Sequence, residues 1–259
     1  MFFLHWMVNA MIASMIFFPE KGFYETPEDY RFPYEDVYVE TSDGIKLHGW
    51  YVLAPDEKGA LLLFHGNAGN ISHRLFKVKG WIDRGFSVLL ADYRGYGKSE
   101  GKIHKGDDIL QDSEAFYQWL IGTKQKPATK VVLYGESIGS APAVWIASQN
   151  EVGAIILEAP FTSLYDLAKT HYPFVWQSLL KDFKLSNIDL IGDLKAPLFI
   201  IQGVRDEICP LRMGEILFEK APYPKEMYAV SNATHNDVSI IAGEEYYEKP
   251  YRFLIEYIK

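Results

Sequence analysis

From residue 60 onward, short apolar runs alternate with longer stretches of helical periodicity. "ALLLFH" (60–65) precedes a helical stretch over 71–84, "FSVLLAD" (86–92) one over 106–121, and "KVVLYG" (130–135) one over 138–149. "GAIILEA" (153–159), "PLFIIQG" (197–203) and "EMYAVS" (226–231) follow, with helices predicted over 211–220 and 243–258. Runs that are apolar at successive positions have no face to offer water, which is the pattern of parallel strands covered by helices on both sides. Ahead of them, "DVYVETSDGIKLHGWYVLA" (36–54) holds two β-rich runs around Ser42–Asp43–Gly44. Asp-Gly between such runs signals an antiparallel hairpin. The pattern predicts one α/β domain over 36–259, a mostly parallel, doubly wound sheet with an N-terminal antiparallel hairpin.

Two segments break this rhythm. Residues 1–18, "MFFLHWMVNAMIASMIFF", are nearly all apolar and are closed by Pro19. That length is the lower limit for a membrane span, and His5, Asn9 and Ser14 interrupt it. No Lys or Arg precedes the stretch and no small-residue cleavage site follows it, which argues against a signal peptide. A helix apolar all round must be buried in protein or in lipid. The segment is therefore expected either to contact a membrane or to pack on its own domain or a partner, with Asn9 disfavouring a purely lipid-facing position. Residues 19–35, rich in Pro, aromatics and acids, form an irregular lead-in. The second break lies between "GAIILEA" and "PLFIIQG", where the connection from Pro160 to Ala196 is far longer than the dozen residues a crossover needs. It carries Phe161, Tyr165, Tyr172, Phe174, Trp176 and Phe183. Those rings are expected either to pack as ordinary core or to line an acyl pocket under a small cap over about 161–187.

Composition removes several function classes. Of the 259 residues, 48% are hydrophobic and 23% charged, enough apolar matter for one large core. The net charge of −8, without a long Lys/Arg cluster, argues against a nucleic-acid surface. Cys209 is the single cysteine, so an internal disulfide and a Cys-rich zinc site are excluded. No His/Cys/Asp/Glu spacing reads as a metal site and no cofactor fingerprint is present, so neither is expected.

The sharpest signal is "LYGESIGSAP" (133–142). Gly135-x-Ser137-x-Gly139 between a predicted strand and helix is the pattern of a nucleophile elbow. The turn is so tight that side chains at the flanking positions would strike neighbouring backbone, and Pro142 is tolerated only near the start of the following helix. A serine hydroxyl needs a base. Such an elbow takes its partners in the chain order Ser, acid, His. His5, His48, His65, His73 and His104 precede Ser137, and His171 precedes the strand-end acids after "PLFIIQG"; His235, in "SNATHND", remains. Asp206, three residues after Gly203, is the expected acid, with Glu158 in reserve. The backbone N–H groups of Ile138, directly after the nucleophile, and of Asn67, in the small-residue loop "HGNAG" (65–69), are the expected oxyanion donors.

"FHGNAGN", "ADYRGYGKSEG", "YGESIGSAPA", "EAPFTS", "GVRDEICP" and "THND" occur in that order across most of residues 36–250. In this the chain resembles the α/β-hydrolase superfamily, and most closely its small-cap serine hydrolases, which include esterases, protein depalmitoylases and membrane-anchored hydrolases. The resemblance implies the α/β-hydrolase fold. It puts Ser137, Asp206 and His235 on the family's triad positions, gives Asp92 and Arg94 structural roles, and favours an N-terminal anchor, although the usual basic flank is missing. The expected activity is hydrolysis of short to medium acyl esters or thioesters through an acyl-enzyme. A peptidase-like amidase and a catalytically silent membrane-associated scaffold are the alternatives. The expected partner is a small acyl substrate, with membrane contact through residues 1–18, or a cytoplasmic location if that segment packs on protein.

Overall fold

The computed structural model describes residues 2–174 and 176–258. Met1, Val175 and Lys259 lie outside the described residues, as do the side chains of Phe2, Phe3 and Leu4, on which part of the N-terminal burial expectation rests. Eight strands form the central sheet: β1 (Tyr34–Glu40), β2 (Lys46–Val52), β3 (Gly59–Phe64), β4 (Phe86–Ala91), β5 (Val131–Glu136), β6 (Ala154–Glu158), β7 (Leu198–Gly203) and β8 (Lys225–Val230). Their order is β8-β7-β6-β5-β3-β4-β2-β1. The β1–β2 and β2–β4 pairs are antiparallel and the rest are parallel. Gly44, at φ +81°, makes the hairpin turn where the sequence places it.

The strands are buried on both faces because their side chains alternate between two cores. Leu62, Phe64, Leu89, Leu133, Ile155 and Ile200 enter one core, beneath α3 (Gly106–Gln118) and α4 (Ser140–Gln149). Leu61, Leu63, Val88, Val132, Ile156 and Phe199 enter the other, beneath α2 (Leu75–Ile82) and α9 (Glu245–Tyr257). Each such side chain contributes about 1.5–3 kcal/mol on burial. The predicted helix over 71–84 starts later than its periodicity suggests. Asn70 caps a 3₁₀ turn, Ile71–Arg74, by accepting from the Ser72 N–H, and the α-helix begins only at Leu75.

The first helix, α1 (Phe2–Ile16), is docked on the domain along one stripe. Ile12, Ala13 and Phe17 are buried in the α3–α4 core, while Met7, Met11, Met15 and Phe18 on the other side are about half exposed. Asn9 is paired: its amide donates to Asp182 at 3.0 Å, and His5 lies 2.9 Å from the same carboxylate. Phe18–Pro19 then pair in parallel with Ala68–Gly69. No helix among the described residues is long and apolar enough to cross a membrane.

The connection from β6 to β7 holds α5 (Leu164–His171), α6 (Asn187–Leu190) and two short 3₁₀ turns. α7 (Leu211–Lys220) and α8 (Val238–Ala242) complete the helices described.

Candidate active site

Parallel strands point their C-terminal ends the same way, so the loops that leave them gather on one edge of the sheet. The Phe64↔Gly135 register sets the loop after β3 beside the turn after β5. Ser137 begins that turn at φ +52°, a left-handed conformation costing a non-glycine residue about 1–3 kcal/mol. Its flanks explain why the turn is possible. A Cβ at Gly135 would lie 2.5 Å from the Gly139 carbonyl oxygen, and one at Gly139 would lie 2.1 Å from the Phe64 carbonyl oxygen. Pro142 falls in the first turn of α4, where its missing N–H costs nothing.

The loops after β7 and β8 bring the predicted partners to Ser137. His235 Nε2 lies 3.1 Å from Ser137 Oγ, and His235 Nδ1 lies 2.8 Å from Asp206 Oδ2. An imidazole nitrogen facing a carboxylate carries the proton there, which leaves Nε2 to accept from the serine hydroxyl. Asp206 is itself held: Oδ1 accepts from the Ile208 and Cys209 N–H groups at 2.9 and 2.7 Å, and Oδ2 accepts from Gln202 at 3.0 Å. Gly203 lets the strand end approach this loop, because a Cβ there would meet the Thr234 carbonyl oxygen at 2.6 Å. Glu158 is engaged elsewhere. Its carboxylate accepts from Lys77, Tyr134 and Tyr246 at 2.8, 2.6 and 2.7 Å.

The loop "HGNAG" lies against Ser137, with a Cβ position at Gly66 only 3.8 Å from Ser137 Cβ. Among the described residues the Asn67 N–H donates to no protein acceptor. His65 behind it is buried, its Nδ1 2.7 Å from the Gly66 carbonyl oxygen and its Nε2 3.3 Å from Asp92. Asp92 Oδ1 also accepts from the Ile71 N–H, and Arg94 bridges Asp43 and Asp112, so both residues hold loops together.

The cleft over Ser137 has a volume of about 360 Å³, within the lower range of small-molecule sites. Its apolar wall differs from the expected one. Of the six crossover aromatics only Tyr172 lines it. Phe161 and Phe183 are buried in the α3–α4 core, Phe174 and Trp176 face solvent, and Tyr165 borders a separate cavity. Leu164, Leu167 and Ala168 of α5 form the wall instead, with Ile208 and, from the first helix, Met15 and Ile16. The reason is helical phase: α5 is only two turns long and turns its aliphatic stripe to the cleft.

A buried ionic cluster beside Ser137 escaped the sequence reading. Arg74 and Lys77 bind the two oxygens of Glu136 at 2.8 and 2.7 Å, and Lys77 also binds Glu158. Burial opposes ionisation of Glu136, but the two cations outweigh it and hold the carboxyl well below its ordinary range. Burial likewise works against the Lys77 charge, and the two carboxylates outweigh it and raise the ammonium. The available signal was Lys77 itself, four residues before the core-facing Trp81 and thus on the buried side of α2. No group of three or more His, Cys, Asp or Glu among the described residues is arranged to hold a metal ion.

Residues 55–191, over half of the chain, match the family model described as serine aminopeptidase, S33. An alpha/beta hydrolase domain-containing protein of Arabidopsis thaliana is 32% identical over 283 residues, covering 96% of this chain and 92% of that protein. The chain belongs to the α/β-hydrolase superfamily. An uncharacterized protein of Mycobacterium tuberculosis is 36% identical over 247 residues, covering 93% of this hydrolase and 86% of its relative. A solved esterase of Pyrococcus furiosus superposes with a TM-score of 0.79 at 23% identity, covering 93% of this chain and 100% of that one. At that identity the likeness is one of fold: the mostly parallel sheet with its opening hairpin is the α/β-hydrolase fold. The matched family stretch ends before Asp206 and His235, which the tertiary structure alone brings to Ser137.

Proposed function

We propose that this hydrolase is a serine esterase or thioesterase for short to medium acyl chains. One observation carries the reading: the continuous hydrogen-bonded chain from Ser137 Oγ through His235 to Asp206, at 3.1 and 2.8 Å. Ser137 Oγ attacks the acyl carbon while His235 Nε2 takes its proton. The carbonyl oxygen gains negative charge, and the N–H groups of Asn67 and Ile138 receive it. Collapse of this intermediate breaks the bond to the alcohol or thiol, which leaves with the proton from His235. Water, deprotonated by His235, then attacks the acyl-enzyme and frees the acid and Ser137. Asp206 fixes the imidazole tautomer and stabilises its charged form. The aliphatic wall suits an apolar acyl chain, and the esterase name of the Pyrococcus neighbour agrees with this.

The amidase reading is weaker on a specific point, although the matched family model is named for aminopeptidases. A substrate amine needs a free carboxylate. Glu136 is the one carboxylate among the described lining residues, and Arg74 and Lys77 already hold it. A silent scaffold would have no use for an aligned chain of this geometry. As for location, Met7, Met11, Met15 and Phe18 are about half exposed on the outer side of α1 and its end, an apolar row that supports α1 lying along a membrane surface.

The test is a series of p-nitrophenyl esters of increasing chain length, an acyl-thioester, and a fluorophosphonate label. Wild type should hydrolyse the esters and take up the label. Ser137→Ala should take up none and lose at least about 10³-fold in kcat. Activity of Ser137→Ala within about tenfold of wild type would remove Ser137 from the mechanism.

A further inference from the structure

The loop expected to supply one oxyanion donor is tied to the N-terminal segment as well as to the sheet. Asn67 is held at three points. Its side-chain amide donates to the Ile16 carbonyl oxygen at 2.9 Å, and its own carbonyl accepts from the Phe18 N–H at 2.8 Å and from the Tyr96 hydroxyl at 2.7 Å. Ile16 ends α1, so its carbonyl is among those a helix leaves without an internal partner, and the Asn67 amide satisfies it. The chain then pairs Phe18 with Ala68 and Pro19 with Gly69, and the Glu20 N–H donates to the Gly69 carbonyl at 3.0 Å. Three consecutive loop residues are thus set in register by three residues that follow the helix.

The same helix end also reaches the cleft. Met15 and Ile16 line it together with Leu164 and Leu167 of α5. Met15 is 61% exposed, which puts it at the rim, while Ile16 is half-buried. The helix is anchored behind them by buried Ile12, Ala13 and Phe17, and the Phe17 ring packs 6.5 Å from that of Phe183. On this side the one basic lining residue among those described is His171 at the end of α5, whose Nε2 lies 2.8 Å from the Ile208 carbonyl oxygen, whereas Arg74, Glu136 and His235 lie among the other lining residues. The acyl tail therefore fits the α1–α5 side and the leaving group the polar side.

We infer that the C-terminal end of α1 is a working part of the active site: Met15 closes the outer end of the acyl pocket and sets the chain length accepted, and the Ile16 carbonyl holds Asn67 so that its N–H faces the oxyanion. Met15 is then a specificity-determining residue, and the Asn67 side chain a positioning group. This rests on the esterase reading above.

The experiment uses the full chain and compares kcat/KM for p-nitrophenyl acetate and octanoate. Met15→Trp narrows the rim and Met15→Asp places a charge beside the acyl tail. Each should lower the octanoate-to-acetate ratio by about tenfold, the scale of about one methylene's pocket contact. Met11→Asp, one turn earlier and not lining the cleft, should leave the ratio within about twofold. Asn67→Ala keeps the backbone N–H but loses the Ile16 link, and should lower kcat by at least about tenfold on both esters with little change in KM, as loss of oxyanion alignment does. Ratios within about twofold of wild type in both Met15 variants, or an equal shift in Met11→Asp, would overturn the pocket assignment. An Asn67→Ala enzyme with wild-type kcat would overturn the positioning role. Because Met15 is at the surface, its variants should melt as wild type does; should the Trp variant misfold, the Asp variant decides. If wild type hydrolyses neither ester, the esterase reading fails and this inference with it, a result distinct from an active enzyme whose selectivity ignores Met15.

Discussion

At the scale of single residues, the site depends on which carboxylate faces the imidazole. Glu158 ends β6 and Asp206 lies three residues beyond the end of β7, and sequence order favoured Asp206 without excluding Glu158. Distance separates them: Asp206 Oδ2 lies 2.8 Å from His235 Nδ1, while Glu158 is spent on Lys77, Tyr134 and Tyr246. Asp206→Asn should therefore lower kcat by about 10³–10⁴, by stabilising the wrong imidazole tautomer. Glu158→Gln should mainly cost stability, since it leaves part of the Lys77 charge buried without its partner. Steady-state kinetics and urea unfolding of the two variants check this, and a kinetic collapse in Glu158→Gln alone would reverse the assignment. The residues of the Ser137 turn were legible because backbone collisions restrict them severely. At 2.1 Å from the Phe64 carbonyl oxygen, no side chain fits at position 139. Gln202, which braces Asp206, was not legible, since a strand-end glutamine carries no pattern that marks its partner.

At the scale of elements, α1 shows how far periodicity reaches. Its sequence is apolar around most of the circumference, so no clear stripe marks the face that docks. Packing makes the choice, burying Ile12, Ala13 and Phe17 and leaving Met7 and Met11 about half exposed. The two faces should respond differently to substitution. Ile12→Ala should destabilise the protein by about 2 kcal/mol, the low end for a large-to-small change because the helix lies at the surface. Met7→Asp should change stability by no more than about 0.5 kcal/mol, as surface substitutions do. If α1 lies on a membrane, Met7→Asp should also reduce co-flotation with anionic lipid vesicles, and Ile12→Ala should not. Urea denaturation and flotation measure the two effects. Equal stability loss in both variants would contradict the docked stripe. The crossover after β6 teaches the same lesson from the other side. Its aromatic content suggested a lining, yet ring identity alone does not state direction; Phe161 and Phe183 point inward because the α3–α4 core lies beneath them.

At the scale of the whole molecule, the cluster of Arg74, Lys77, Glu136 and Glu158 joins α2, β5 and β6 beside Ser137. Its worth depends on pH with a definite sign. The Glu136 carboxyl is depressed in the folded protein relative to its ordinary 4.5, so between the two values the unfolded chain binds more protons. Stability from this group is thus full above about pH 4.5 and is lost as pH falls through the depressed value. Glu136→Gln should be less stable than wild type by about 3–5 kcal/mol at pH 7, because it strands buried cations. That gap should narrow as pH drops below 4.5. Urea unfolding at pH 7, 5 and 3.5 measures it, and a gap that widens toward acid would show the sign to be wrong.

The sequence by itself determined the alternation of strands and helices, the opening hairpin, the serine turn and which three residues, Ser137, Asp206 and His235, would meet in the candidate site. These are local requirements: a buried strand must be apolar at successive positions, a tight turn must lack side chains, and an elbow of this kind takes its partners in a known order. Only the tertiary structure decided which way α1 faces, that its end meets Asn67, that α5 rather than the aromatics walls the cleft, and that Lys77 joins Glu136 to Glu158. Those are contacts between residues distant along the chain, and they depend on the phase and approach of whole elements, which no short stretch of sequence encodes.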